Sequence, residues 1–237
     1  MSVPLGCAGA DASNVAMSAG FQFAGQNWHA LPQGGLFWRE RAALIVADLH
    51  FEKASSYAQR GQMLPPYDSH ATLDALEAAI AASSPREVWC LGDSFHDMRA
   101  HQRMLPETRE RLQRLTGQRH WTWITGNHDP EGDTTLGGET VAEAMVDGIM
   151  FRHEAVEGDK LPEISGHYHP KWRMNFRGRH ISRRCFVMGA SKLIVPAFGA
   201  LTGGLDAASS VFRSLVGQDC HALIPIEGRL VRFPIHR

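Results

Sequence analysis

Apolar residues along this 237-residue chain fall into short dense runs, and five of those runs are followed closely by side chains able to ligate a metal. The runs are Ala43 to Ala47, Glu87 to Leu91, Trp121 to Thr125, Ile149 to Arg152 and Glu163 to Ser165. All are short, mostly β-branched or aromatic, and bounded by Gly or polar residues, which is the pattern of buried strands. Between them lie two segments of helical spacing. Asp68-Ser69 predicts a cap for a helix through about Ala82, with Leu73, Leu76 and Ile80 on one face. A second helix begins near Pro106, a favoured first-turn residue, carries Leu112 and Leu115, and stops at Gly117. Strand, helix, strand, helix, strand in that order predicts right-handed parallel crossovers. After His169 the pattern becomes strand-like runs with turn signals, Arg179 to Met188, Lys192 to Val195, His221 to Ile226 and Leu230 to Phe233, which predicts a second, largely antiparallel layer.

Composition bounds the organisation. A hydrophobic content of 43% supports a sizeable core, and the length suits one large domain or two small ones. No Pro/Gly/Ser linker interrupts Asp48 to His169, so residues 21–237 read as one domain. The stretch from Met1 to about Gly20 is rich in Ala, Gly and Ser and reads as a flexible tail. No Lys or Arg precedes Arg39, and Asp11 and Asn14 occur early, which argues against a signal peptide. Nor is any apolar run long enough for a membrane span. The four cysteines, Cys7, Cys90, Cys185 and Cys220, lack zinc or redox spacing. Cys90 and Cys185 sit in apolar runs and read as reduced core residues, so a cytoplasmic location is expected.

The residues after the runs carry the chemistry. They are Asp48-Leu49-His50, Gly92-Asp93-Ser94-Phe95-His96-Asp97, Gly126-Asn127-His128-Asp129, His153 and Gly166-His167-Tyr168-His169. In an open α/β sheet the loops at the carboxyl ends of strands share one crevice, so these residues can meet. Side chains alternate along extended backbone, which would put Asp48 and His50 on one side to grip the same ion. His167 and His169 have the same spacing, but in a tight loop their rings can diverge. Asp93 has two carboxylate oxygens and can bridge two metals, Asn127 offers an amide oxygen, and His153 an imidazole. Taken alone, His153 reads equally well as a satisfied core histidine.

Only Asp48 and Asp93 are anionic in the ligand set Asp48, His50, Asp93, Asn127, His153, His167 and His169. Two divalent ions would therefore leave an excess of two positive charges, suited to phosphate oxygens and to a pentacoordinate transition state. Imidazole, carboxylate and amide together favour manganese first, with iron or zinc as alternatives, over calcium or over magnesium alone. A departing alkoxide needs a proton, and His128, beside Asn127 but not required as a ligand, is the candidate acid or phosphate-contacting group. His96 is the candidate to orient His128 or to act at the leaving group. Asp97 and Asp129 are candidate partners for fixing the imidazoles.

In this order, Asp48-x-His50, Gly92-Asp93-x-x-His96, Gly126-Asn127-His128-Asp129 and Gly166-His167-x-His169 resemble the calcineurin-like metallophosphoesterase superfamily, over roughly Ala43 to Pro170. The resemblance implies an α/β fold, a four-layer αββα sandwich of two mixed sheets, with a dinuclear centre between the sheet edges. It also implies that Asp48, His50, Asp93 and His169 hold one ion and Asp93, Asn127, His153 and His167 the other. His96-Asp97 stands where the protein phosphatases have an acidic residue followed by Arg, so the form resembles the nuclease branch instead. Leu193 to Gly204, with the compact length, is similar to the bacterial ligase-associated DNA damage response endonucleases, the PdeM family. That similarity implies a DNA substrate and DNA ligase or helicase repair partners.

A basic stretch follows the last ligands. Lys171, Arg173, Arg177, Arg179, Arg183 and Arg184 occur with no acidic residue among them, and Arg173, Arg177 and Arg179 are candidate contacts to substrate phosphates. Alternation of Lys171, Arg173 and Asn175 with Trp172, Met174 and Phe176 predicts an amphipathic strand whose apolar face is core. A solvated face is the ordinary reading of such arginines. The formal net charge of -1 gives no global attraction to polyanions, although the acidic segment Glu131 to Glu163 precedes the basic one. The leading reading is a metal-dependent phosphodiesterase acting on DNA, an endonuclease of repair. A small-nucleotide or cyclic-nucleotide phosphodiesterase or phosphatase is the enzyme alternative. The third class, a non-catalytic scaffold of the same fold, has no need of a complete ligand set with His128.

Overall fold

In strand β4 (Ala43–Val46) successive residues face different partners. Leu44 and Val46 pack with helix residues such as Leu73, Leu76 and Leu112, whereas Ala43 and Ile45 pack with Phe151, Ile164 and Phe186 of another sheet. A strand that buries both faces must be apolar throughout, and all four of its residues are buried. The same division holds at β5 (Glu87–Leu91) and β6 (His120–Ile124), where Val88, Cys90, Trp121 and Trp123 face helices and Leu91 and Ile124 face the second sheet.

The computed structural model describes residues 20–130 and 134–235. The first sheet holds seven strands in chain order: β1 (Gly20–Phe23), β2 (Gln26–Ala30), β3 (Leu36–Trp38), β4, β5, β6 and β7 (Glu139–Val141). Its first four strands pair antiparallel and its last four parallel. The second sheet comprises β8 (Glu143–Val146), β9 (Ile149–Arg152), β10 (Glu163–Ser165), β13 (Phe186–Met188), β14 (Lys192–Ile194), β15 (His221–Ile226) and β16 (Arg229–Pro234), in the order β16-β15-β13-β14-β10-β9-β8. Helices α2 (Asp68–Ser83) and α4 (Pro106–Gly117) cover the first sheet and α5 (Ser210–Val216) the second, giving the αββα sandwich of two mixed sheets. Short helices α1 (Lys53–Gln59) and α3 (Ala100–Arg103) complete the helical layer beside the first sheet.

Several expectations change here. Strands β1 to β3, β7 and β8 and helices α1, α3 and α5 are additions to the elements the pattern predicts. Asp68 and Ser69 do not cap their own helix, whose N-cap is Tyr67 without a side-chain bond. Their side chains reach back instead: Asp68 Oδ2 accepts from Ala54 N at 2.9 Å, and Ser69 Oγ accepts from Glu52 N at 2.9 Å while donating to Glu52 Oε1 at 2.8 Å. They thereby pin the start of α1 three residues beyond His50. The antiparallel layer is realised among β13 to β16, but β14 joins β10, and β10 joins β9, in parallel. The run Arg179 to Met188 breaks at Cys185 into β12 (Arg179–Arg184) and β13, and β12 pairs only with β11 (Lys171–Phe176) as a separate hairpin. Met174 is 38% exposed and so departs from the expected apolar core face of β11, whereas Trp172 is half-buried and stacks on Phe233 at 4.8 Å. Cys90, Cys185 and Cys220 are free and buried; Cys7 and the expected tail up to residue 19 lie outside the described residues. Among the described residues no helix is long and apolar enough to cross a membrane.

Phe151 is fully buried between the sheets, with Trp89 edge-on at 5.3 Å and Trp38 at 6.2 Å. Phe151→Ala removes the ring that joins them and should lower unfolding free energy by about 3–5 kcal/mol. Urea denaturation would measure the loss; a change below about 1 kcal/mol would show that the sheets are not coupled through this contact.

Candidate metal centre

Parallel pairing of β4 with β5, of β5 with β6, and of β9 with β10 brings the carboxyl ends of these strands to one side of each sheet. The loops that leave those ends carry every expected ligand. They do so in a backbone conformation that differs from the expected extended one. Strand β4 ends at Val46, and both Asp48 (φ 53°) and His50 (φ 47°) are left-handed. Asp93, His167 and His169 are left-handed too, at φ 48°, 69° and 47°. For non-glycine residues each such conformation costs roughly 1–2 kcal/mol. Neighbouring backbone holds them there: Asp48 N donates to Gly92 O at 3.1 Å, His50 N to Asp93 O at 2.9 Å, and Gly199 N to Asp48 O at 3.1 Å.

Two glycines show how closely the loops approach. A Cβ on Gly126 would collide with Asp93 Oδ1 and its backbone N, and one on Gly92, itself at φ 76°, would collide with the His153 ring. The loops after β5, β6 and β9 therefore interlock without room for a methyl group.

The candidate ligand atoms gather in three groups among the described residues, one of which, His50, His96 and His128, shares His50 with another. Asp48, His50 and His169 present atoms within 4.8 Å of one another, as do Asp93, His153 and His167. His169 Nε2 lies 3.3 Å from Asp48 Oδ1 and 3.4 Å from His50 Nε2. Asp93 Oδ2 stands between the groups, 3.9 Å from His50 Nε2 and 3.5 Å from His153 Nε2. Asn127 Oδ1 is 3.0 Å from His153 Nε2.

The donor chemistry at His153 fits a cation. Its Nδ1 lies 3.0 Å from Leu91 O, which can only accept, so Nδ1 carries a proton and Nε2 turns toward Asn127 Oδ1, His167 Nδ1 at 3.1 Å and Asp93 Oδ2. Lone pairs converge there with few protons to share. Burial works against charge on His153, yet the hydrogen bond to Asp93 and the charges of Asp48 and Asp93 lift its pKa to about 9. A proton and a metal ion compete for that same lone pair. Burial opposes ionisation of Asp93 as well, but His153 and the His128 amide hold it well below the usual carboxylate range. For His50, burial is the largest influence and pushes the imidazole down to about 2, leaving it neutral and fit to ligate.

His128 stands beside these groups as the pattern suggests. Its backbone N donates to Asp93 Oδ1 at 2.9 Å, and its Nδ1 sits 2.8 Å from the His96 carbonyl oxygen. That contact fixes the tautomer and leaves Nε2 pointing inward, 3.9 Å from Asp93 Oδ2. The His96 ring stacks on His128 at 5.0 Å, and burial first, then the charges of His128 and Lys53, lower its pKa to about 4. The two expected carboxylate partners act elsewhere. Asp97 forms a two-point ion pair with Arg103 at 2.7 and 3.0 Å. Asp129, buried, accepts from Asp93 N, Ser94 N, Phe95 N and Gly126 N at 2.8–3.2 Å and so binds backbone rather than imidazole.

The arginines after the centre do not share a face. Register pairs Arg173 with Ser182 and Trp172 with Arg183, which puts Arg173 on one face of the hairpin and Arg179 on the other with Trp172 and Met174. Arg177 occupies the turn at φ 49°. Arg173 Nη2 donates to Gly204 O at 3.0 Å. Residues that sequence reasoning left out come from α1: Lys53, whose charge acts on His50 and His96, and Tyr57, whose ring is 5.6 Å from His96. Their only signal was adjacency to His50, because α1 has seven residues and no apolar periodicity.

Against known proteins, the chain is similar over most of its length to a nuclease. The crystal structure of Pseudomonas putida nuclease MPE is 26% identical, with a TM-score of 0.68, covering 87% of this chain and 96% of that chain. Yfce, a phosphoesterase from E. coli, is 13% identical with a TM-score of 0.41, covering 82% of this chain and 99% of that one. No curated protein matches the chain. The family model for calcineurin-like phosphoesterases matches residues 42–212, more than half of the chain and the whole span of the ligand loops, and the chain belongs to that family of hydrolases.

Proposed function

We propose that the chain is a metal-dependent phosphodiesterase that cleaves DNA as an endonuclease of DNA repair, with residues 21–237 acting as one domain in the cytoplasm. The observation that carries the chemistry is the oriented His128 imidazole beside Asp93, among ligands that meet from five loops. Likeness to the Pseudomonas putida nuclease supports DNA as the substrate. DNA ligase or helicase partners would fit the same role.

The family holds a dinuclear divalent-metal site, and the residues here suit one. Asp48, His50, Asp93 and His169 would hold one ion and Asp93, Asn127, His153 and His167 the other, with manganese favoured over iron or zinc by the mixed donors. When bound, two such ions supply positive charge for the phosphate oxygens and acidify water. The chain's own part is positional and protic. Water adds to phosphorus, the P–O bond to the departing strand breaks, and that oxygen takes the Nε2 proton of a His128 imidazolium, whose Nδ1–H stays on the His96 carbonyl. The proton released by the attacking water restores the balance. His96 acts through His128, its carbonyl oxygen holding the Nδ1 proton and its ring limiting rotation.

Elemental analysis should find two ions per chain, and activity of metal-depleted protein should return best with manganese. Asp93→Asn should lose both ions' worth of activity, and Asp129→Asn should lower metal content although Asp129 is no ligand, because an amide nitrogen would face backbone N–H groups. Full activity with one ion in magnesium, together with harmless Asp93→Asn, would overturn the dinuclear reading.

His128→Ala should retain both ions and lose about 10²- to 10⁴-fold in turnover. Metal content and turnover measured on one preparation decide this, since loss of an ion would make His128 a ligand.

Replacing Arg173, Arg177 and Arg179 with alanine should weaken binding to long DNA and flatten its salt dependence, because fewer counterions are released. The loss on DNA should exceed that on an aryl phosphodiester. Equal losses on both would make the hairpin a structural support, and cyclic-nucleotide turnover by the parent without DNA cleavage would favour the small-nucleotide reading.

A further inference from the structure

Beside the centre, between α1 and the loop that follows His96, runs an open groove of about 570 Å³. His96, Asn127 and His128 form its inner end. Outward from them come Tyr57 and Arg60 on one wall and Met98 and Arg99 on the other. We propose that this groove seats the unpaired nucleotide on the departing side of the scissile phosphate, its base laid against Tyr57 and its backbone phosphates held by Arg60 and Arg99. The proposal deepens the phosphodiesterase reading above and rests on it.

Charge separates the arginines of the groove into two kinds. Arg103 is neutralised, with its guanidinium on both Asp97 oxygens and its Nε donating to Ser55 Oγ at 3.0 Å. That linkage ties α3 to α1 and fixes the distance between the walls. Arg60 and Arg99 are exposed, and neither has a carboxylate partner among the described residues. Two uncompensated cations flanking a hydrolytic site call for anions spaced along a backbone.

The apolar surface between them narrows the ligand class. Tyr57 is half-buried and its ring lies 5.6 Å from His96, which stacks in turn on His128. Met98 is 51% exposed on the opposite wall. An aromatic ring and a thioether offer a surface to the flat face of a base, and aromatic stacking of this kind is tolerant of sequence. In a duplex that face is covered by the next base pair, so the groove fits a base that has left its stack. The side is set by His128. His128 lines the inner end of the groove, so under its reading as the acid the nucleotide attached to the oxygen it protonates is the one that enters the groove.

The test uses the metal-loaded, full-length protein. In stopped-flow mixing with a single-stranded oligonucleotide containing 2-aminopurine, binding should quench fluorescence before cleavage begins. Tyr57→Ala should abolish most of that quench and raise KM on single strands about tenfold, with a smaller change in kcat, and Tyr57→Phe should restore both. The pair Arg60→Ala and Arg99→Ala should reduce the slope of log affinity against log salt by about 1.4, the contribution of two phosphates on a single strand. In both cases the loss on single strands should exceed that on a duplex of the same sequence and on an aryl phosphodiester by at least tenfold. Metal content and thermal melting of each variant accompany the kinetics, and where Tyr57→Ala does not fold, the arginine pair alone decides. Equal losses on all three substrates, or an undiminished quench in Tyr57→Ala, would overturn the groove assignment while leaving DNA cleavage by the parent intact. A parent that hydrolyses the aryl diester yet neither binds nor cuts any DNA would overturn the DNA reading and the groove with it.

Discussion

Close backbone approach is the constraint on which the centre depends. The loops after β5, β6 and β9 pass so near one another that glycine is required at Gly92 and Gly126, and the carboxylate of Asp129 ties two of them by accepting four backbone N–H groups. A buried carboxylate is costly unless its lone pairs are used. Burial does raise Asp129, to about 6, with the hydrogen bond from Phe95 N opposing and the nearby Asp93 charge adding to the rise. The site thus accepts an electrostatic penalty in exchange for fixed loop positions. Left-handed backbone at Asp48, His50, Asp93, His167 and His169 adds to that penalty. Strain of this size persists only where the surroundings over-determine the conformation.

Those surroundings are the three apolar clusters. One lies between the sheets, one under α2 and α4, and one under α5, and together they bury nearly every large aliphatic and aromatic residue of the central strands. Their side chains belong to strands and helices, whereas the ligands belong to the loops that leave them. Stability and chemistry are therefore carried by different residues, a division usual where a rigid scaffold presents loops. The consequence for the ligands is precision. Asp93 Oδ2 can stand within 3.9 Å of both His50 Nε2 and His153 Nε2 because each loop is anchored at its root by strand pairing.

What the sequence disclosed follows from which forces are local. Buried parallel strands need continuous apolar runs, so β4, β5, β6, β9 and β10 were visible, and with them the loops that must follow. Helices α2 and α4 were visible through apolar spacing and a proline start. The short antiparallel strands β1 to β3 were missed because three to five residues carry little periodicity. Faces of the basic hairpin were misassigned for a different reason. Alternation along one strand says nothing of where the turn falls, and the turn at Arg177-Gly178 sends Arg179 to the face opposite Arg173. Asp48-x-His50 reached one another by left-handed backbone, not by the alternation expected of an extended segment. The candidate groove was invisible because Tyr57 lies on, and Arg60 directly after, a helix held by tertiary bonds from Asp68 and Ser69, not by its own pattern.

The proton at His153 shows why these departures gather at the centre. Its Nδ1 is committed to Leu91 O, so Nε2 must answer Asn127, His167 and Asp93 with a single positive group. Without an ion a proton fills that role, because the hydrogen bond to Asp93 and the charges of Asp48 and Asp93 outweigh the cost of burial and raise the His153 pKa. A bound ion would take the same lone pair and displace that proton. Local rules fail most at the place where five loops are made to serve that one electrostatic demand.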